Sequence, residues 1–281
     1  MGFANNSYLI NKLEVCNFRK FESISVTFER QLTVLVGDNG MGKSTLIDAA
    51  SIALGTLFQK IENSKASGIT PDDARGAVIK QGDMYDVQSR YPVTIGADGI
   101  VLGENVHWSR SLNTAKSRTT IAGAAPVVDA GARLQKLVRS GETVVLPILA
   151  RYGTDRLWTR TEPKDQSLPN RTRGYEGALQ ASSNDARMNA WFKSQSIWEW
   201  QNRRDSALFS AVKKALASCF DAAASTADAM VDFDAELGQL VFTYSTADGC
   251  YHRDRIHSMS DGYRGTLSLF ADIEYRMAML N

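Results

Sequence analysis

The chain has 281 residues, 43% hydrophobic and 22% charged, with 32 basic against 31 acidic side chains, which excludes a disordered, collagen-like or disulfide-stapled protein. Its longest apolar run, Val144 to Ala150, is interrupted by Pro147 and is too short for a transmembrane helix. The near-neutral total conceals an asymmetry: residues 1–100 carry 10 basic and 11 acidic groups, residues 101–219 carry 18 and 10, and residues 220–281 carry 4 and 10. A basic middle of this kind suits a nucleic-acid backbone or an ordinary solvated surface.

In chain order, the start MGFANNSYLINKLE lacks the basic cluster and apolar stretch of a signal peptide, so a cytoplasmic location and no membrane contact are expected. Apolar spacing predicts strands at Leu9–Cys16, Ile24–Phe28 and Leu32–Val36. A glycine-rich stretch follows, then helical spacing from Lys43 to Leu54 with Gly55 as its cap. Residues 60–90 read as loops and short pieces. Two strands, Tyr91–Ile95 and Val106–Ser109, are expected across a turn at Ala97–Gly103. Ile121–Ala132 leads into a helix ending near Arg139, and Thr143–Leu149 has the pattern of a strand buried on both faces.

The polar, basic stretch Thr159–Glu176 reads as a mobile loop, either a solvated insertion or a contact for DNA or a partner. Helices are expected at Asn184–Trp200 and Asp205–Phe220, with Trp191, Trp198 and Trp200 serving packing. Strands at Leu240–Tyr244 and Tyr251–Arg255 and a helix from Thr266 to Leu280 complete the chain. Three cysteines, Cys16, Cys219 and Cys250, form no C-x-x-C pair and read as buried small hydrophobes.

Gly37-Asp38-Asn39-Gly40-Met41-Gly42-Lys43-Ser44 fits G-x-x-x-x-G-K-[ST]. Glycines let successive backbone N–H groups turn toward a polyphosphate, and the following helix adds partial positive charge beneath it. Lys43 is expected to reach the terminal phosphates of ATP, and the Ser44 hydroxyl to bind Mg2+. Thr45 supports the helix start. A guanine-reading N-K-x-D is missing downstream; Asn11-Lys12-Leu13-Glu14 lies upstream and ends in the wrong acid.

The opening LEVCNFRKFESISVTFERQLTVLVGDNGMGKSTLIDAASIAL resembles the N-terminal half of an ABC-type ATPase head, as in SMC-like and SbcC-like double-strand-break repair ATPases and OLD-type AAA ATPases. The resemblance implies an α/β P-loop NTPase fold: an ABC-type head with a mixed β-sheet and an inserted helical region. It places Asn17-Phe18-Arg19, followed by Phe21, beside the nucleotide base and sugar, where Arg19 and Phe18 would stack on or hydrogen-bond adenosine; an edge strand carrying Arg and Lys to solvent is the other reading. Ser260-Asp261-Gly262-Tyr263 resembles the S-G-G-Q signature with two substitutions. In the family that loop closes over the nucleotide of a second head, so ATP joins a homodimer; the plainer alternative is an N-cap at Ser260. Tyr152-Gly153-Thr154-Asp155-Arg156-Leu157-Trp158, taken with the later Ser-Asp-Gly-Tyr-Arg, resembles compact relatives that accompany anti-phage systems.

Hydrolysis in this class uses an apolar strand ending Asp-Glu after the signature helix. Val231-Asp232-Phe233-Asp234 is the nearest approach but lies before the signature, and Arg151-Tyr152 stand where a Q-loop glutamine would be sought. No catalytic residue is assigned. The expectation is one ATP-binding domain with a nucleotide lobe (1–150), a mainly helical insert (151–256) and a signature segment (257–281), cut before its catalytic strand and turning over ATP poorly. Three functions remain open: an ATP-dependent DNA-repair or defence subunit, a nucleotide-dependent module that recruits a nuclease effector, and, least supported, a metabolite phosphotransferase.

Overall fold

Apolar and polar side chains alternate from Tyr8 onward, and this alternation builds the first strand. In a computed structural model, residues 7–81, 84–153, 170–180, 185–234, 236–246 and 248–281 are described. They fall into two units, Met1–Leu149 and Ala150–Asn281. In the first unit β1 (Tyr8–Phe18) is flanked by β2 (Phe21–Thr27) and by β5 (Val93–Val101), with β6 (Glu104–Leu112) outermost. All these pairings are antiparallel. Leu13, Val15, Ile95, Trp108 and Leu112 form the buried face, as expected of a sheet with one side in the core.

β5 and β6 are longer than the sequence suggests. The turn between them is only Leu102–Gly103, both at positive φ (50° and 89°), the backbone twist a two-residue hairpin requires. Gly99, expected in the turn, lies inside β5. A Cβ on Gly99 would fall 2.0 Å from the Leu9 carbonyl oxygen, beside the irregularity in β1 at Ile10/Lys12. Close backbone approach therefore explains that glycine.

Helix α1 (Lys43–Leu54) buries Leu46, Ala49, Ile52 and Ala53. Its end is pinned to the sheet: the Trp108 indole N–H donates to the Ala53 carbonyl (3.1 Å) and the Tyr8 hydroxyl to that of Leu54 (3.0 Å). Gly55 does cap α1, but in right-handed conformation (φ −63°), so the chain runs on into a 3-10 turn, Gly55–Lys60, instead of stopping. Helix α2 (Ala125–Arg139) ends where the sequence indicates. The 60–90 stretch contains an antiparallel hairpin, β3 (Gly76–Gln81) and β4 (Met84–Ser89), with β4 exposed throughout.

Two expected strands are corrected. Leu32–Val36 forms no strand, and Leu32, Val34 and Val36 are 73%, 68% and 90% exposed; an apolar run becomes a strand only where a neighbour accepts its ladder, and among the described residues none pairs with it. Thr143–Leu149 is likewise not a strand: Val144, Leu146 and Leu149 are buried but Val145 and Ile148 are exposed, so it is covered on one side only.

In the second unit, helices α3 (Asp185–Asn202), α4 (Ala207–Ala224) and α5 (Asp261–Leu280) accompany an antiparallel sheet of β7 (Ala227–Asp234), β8 (Gln239–Ser245) and β9 (Tyr251–Arg255), with β8 central. Phe192, Phe209, Leu216, Phe220, Phe242 and Leu267 lie at its core. The Ser206 hydroxyl caps α4 by accepting from the Phe209 N–H. α5 begins five residues before the helix expected from Thr266, at the Ser260 N-cap that the sequence also offered.

Thr154 to Trp158, residues 159–169 and Asn184 lie outside the described residues. The end of the expected loop is a 3-10 turn, Arg171–Tyr175, with Thr172, Gly174 and Tyr175 buried. Tertiary contact orders it: the Arg171 Nε donates to the Leu280 carbonyl at the end of α5 (2.9 Å), and Arg276 of α5 donates to the Gly174 carbonyl (2.7 Å). Trp191 packs edge-on against Phe192, Phe209 and Tyr275, but Trp200 is 80% exposed on the outer side of α3. Cys16 and Cys250 are exposed and Cys219 is half-buried, because Cys16 falls on the solvent face of β1 and Cys250 just before β9. No helix among the described residues is long and apolar enough to cross a membrane.

Candidate nucleotide-phosphate site

Gly37 to Gly42 connect the exposed segment after β2 to α1. Gly40 and Gly42 have φ of 80° and 97°, left-handed conformations that glycine adopts without a Cβ clash. Gly42 is the N-cap of α1, and its carbonyl accepts the first helical bond from the Leu46 N–H at 3.0 Å. Lys43, the first helical residue, folds back over the loop, its Nζ donating to the carbonyls of Gly37 (2.6 Å) and Asp38 (2.9 Å). The Met41 N–H points at the Asp38 carbonyl, 3.3 Å away. Asp38, Asn39 and Met41 are exposed, Ser44 is exposed in the first turn of α1, and Thr45 is half-buried behind it.

A helix N-terminus, a loop of glycines in left-handed conformation and a lysine converging on the same backbone are the features with which a backbone can hold an anion. Ser44 offers one hydroxyl oxygen beside it. Among the described residues no cluster of three or more His, Cys, Asp or Glu could hold a metal by itself. That donor set fits Mg2+, which keeps waters and phosphate oxygens and takes only one or two ligands from a protein.

The connection between β1 and β2 grips this loop with three consecutive residues. The Arg19 guanidinium lies 5.1 Å from the Phe18 ring centre. Its Nε donates to Asp73 (2.9 Å) and its Nη1 to Asp48 of α1. Partial burial disfavours its charge, but the bonds to Asp48 and Asp73 outweigh burial and leave it more basic than free arginine. Asp73 is itself fixed, its Oδ2 accepting from the N–H and hydroxyl of Thr70 at 2.9 Å each. The Lys20 Nζ donates to the Gly40 carbonyl at 2.6 Å. The Phe21 ring lies against Gly42 so closely that a Cβ there would meet its Cζ at 2.5 Å. Phe21 belongs to the segment that the resemblance singled out, but its place against Gly42 was not foreseen; Lys20, Asp48 and Asp73 carry no motif.

In the second unit, Ser260 is the N-cap of α5 without a side-chain hydrogen bond, and Asp261, Gly262 and Tyr263 form the first helical turn. Ser260, Asp261 and Gly262 are exposed, nothing lies within 4 Å of a Cβ built on Gly262, and Tyr263 is 38% exposed. Arg264 pairs with Asp261 at 2.7 Å. The Tyr152 hydroxyl donates to Asp272 of α5 (2.8 Å), which also pairs with Arg276 (2.7 Å) in a buried network; burial chiefly, and then Asp272, push the Tyr152 phenol far above its usual range. Asp232 and Asp234 lie in β7, Asp232 near Lys213 (3.8 Å) and Asp234 near Arg253 (3.3 Å).

Residues 12–215 match the family described as AAA domain. Over 93 residues the chain is 30% identical to the chromosome partition protein Smc of Methanocaldococcus jannaschii, covering 32% of this chain and 8% of that protein. Over 47 residues it is 47% identical to the DNA repair protein RecN of Bacillus subtilis, covering 17% of this chain and 8% of that protein. The chain thus spans a small fraction of either relative. Its fold is similar to a crystal structure of an Smc head bound to the C-terminal winged-helix domain of ScpA, with a TM-score of 0.51 at 16% identity, over 95% of this chain and 77% of that one.

Proposed function

Because the chain belongs to the AAA domain family and has the fold of an Smc-type ATPase head, we propose that it binds ATP with Mg2+ at Gly37–Thr45 and works as a nucleotide-gated head. The observation that carries this reading is the loop itself: Gly40 and Gly42 at positive φ, the α1 N-terminus, and Lys43 drawn onto the loop carbonyls by bonds of 2.6 and 2.9 Å.

On this reading the polyphosphate takes the place of the Gly37 and Asp38 carbonyls as partner of Lys43, since an ammonium prefers a full anion to two neutral oxygens. The Ser44 hydroxyl supplies one ligand to Mg2+, which neutralises charge on the phosphates when bound. With its nitrogens on Asp48 and Asp73, Arg19 serves the site by fixing the middle of α1 to the β1–β2 connection. The exposed turn Ser260–Tyr263 offers a hydroxyl and free helical N–H groups to the nucleotide of a second head, so ATP would join two copies. The relatives support DNA as the setting, one named for chromosome partition and one for DNA repair, as does the positive excess of residues 101–219. Defence against phage remains part of the same proposal, carried by the sequence resemblance alone.

Equilibrium binding of a fluorescent ATP analogue tests the site. Lys43→Ala is expected to weaken binding at least about tenfold, the scale of losing a charge-assisted bond to phosphate, with the melting temperature without nucleotide unchanged. Undiminished binding by Lys43→Ala would refute the assignment. DNA binding that weakens steeply with salt supports direct DNA handling; salt-independent absence of DNA binding with intact ATP binding favours a module that recruits a nuclease effector.

A further inference from the structure

We propose that Lys20 is a positioning residue of the phosphate site, holding the Gly40–Met41 peptide in the orientation an anion needs. The inference rests on the phosphate-binding reading of Gly37–Thr45 and adds a residue outside that motif. An anion cradle works only if its N–H groups face the ligand and its carbonyls face away. The planar peptide sets C=O and N–H on opposite sides, so whatever holds the Gly40 carbonyl also aims the Met41 N–H. In this structure the Lys20 Nζ holds that carbonyl at 2.6 Å. The Met41 N–H is directed at the Asp38 carbonyl, the same oxygen that Lys43 contacts. The inward side of the peptide is therefore the side of Lys43.

Gly40, at φ 80° with open space around its missing Cβ, has the freedom to let this peptide turn over. A turned peptide would present an oxygen to the phosphates in place of a donor. Lys20 is in turn held in place by its neighbours in the β1–β2 connection: Arg19 is bound to Asp48 and Asp73, and Phe21 is pressed on Gly42. The connection acts as a clip on the loop, with Lys20 as the charged contact to its apex.

The test uses the 281-residue chain with Lys20→Met, which keeps the stem and removes the donor, and Lys20→Arg, which keeps a donor. Affinities for fluorescent ATP and ADP analogues and melting temperatures without nucleotide are measured, with Lys43→Ala alongside. Lys20→Met is expected to weaken both nucleotides by a common factor of about three to ten, and Lys20→Arg to restore most of it. Melting without nucleotide should be unchanged, because the side chain is exposed. Wild-type binding of both nucleotides by Lys20→Met overturns the proposal, while Lys43→Ala still reports on the phosphate site. Loss for ATP alone overturns it too, by making Lys20 a direct ligand of the terminal phosphate. A failure of Lys20→Arg equal to that of Lys20→Met, or a lowered melting temperature that accounts for the lost affinity, also counts against it.

Discussion

At the scale of single residues, the second unit contains groups whose energetics can be separated. Asp272 is buried with Arg276 and the Tyr152 hydroxyl. Removing one partner of a buried pair strands the other's charge, so Asp272→Ala should cost about 3–5 kcal/mol, whereas Tyr152→Phe removes one hydrogen bond and should cost about 1 kcal/mol. Urea unfolding of the two variants checks the ratio; equal losses would show that Arg276 does not need Asp272. Tyr244 offers a pH test. Its hydroxyl donates to Asp254 at 2.7 Å, and chiefly that bond, with burial second, pushes its pKa up from 10.0 to about 12. The folded state therefore holds the proton more tightly than the unfolded chain, and the contribution is whole below pH 10 and lost as pH rises toward 12. Melting temperature should fall more steeply through that window in the wild type than in Tyr244→Phe. Parallel profiles would show that the hydrogen bond is broken in solution.

At the scale of elements, propensity and packing can be set against each other in α2. Gly131 lies in the middle of that helix, where alanine would ordinarily stabilise by about 1 kcal/mol. A Cβ there would fall 2.2 Å from the Leu57 carbonyl oxygen in the 3-10 turn after α1, and forcing atoms into a packed contact costs typically 1–3 kcal/mol. Because the obstacle is backbone that cannot swing aside, packing should win, and Gly131→Ala should lower the melting temperature. A rise would mean that α2 can shift off the turn. The contact also shows what was legible and what was not. Spacing located α1, α3, α4, β8 and β9 within a few residues and the end of α2, whose start lies earlier than expected; the apolar stripes of α1 and α4 made those two the plainest. It missed β7, whose polar Asp228, Asp232 and Asp234 hide its alternation, and the β3–β4 hairpin, which buries too little to show a pattern. It also placed strands at Leu32–Val36 and Thr143–Leu149, where apolar content is real but the backbone is not a strand.

At the scale of the molecule, the two units each have their own core, and the phosphate loop belongs to the first while the Ser260–Tyr263 turn belongs to the second. If ATP joins two copies through that turn, Ser260→Arg should leave ATP binding intact and abolish the nucleotide-dependent increase in mass seen by sedimentation, because a long cation replaces the hydroxyl at an exposed N-cap. Unchanged dimers in that variant would remove the turn from the interface. The sequence by itself determined the glycine loop and the lysine that opens α1, the proposed phosphate site, because these residues are contiguous in the chain. It also determined most helices, whose hydrogen bonds are local. Only the tertiary structure decided what surrounds the cradle: that Arg19 is bound to Asp48 and Asp73, that Lys20 holds Gly40 and Phe21 presses on Gly42, and that 170–176 is an ordered turn against α5. Those contacts join residues that are distant in sequence, and no local spacing rule encodes which carboxylate, carbonyl or ring a side chain will meet once the sheet and helices have packed.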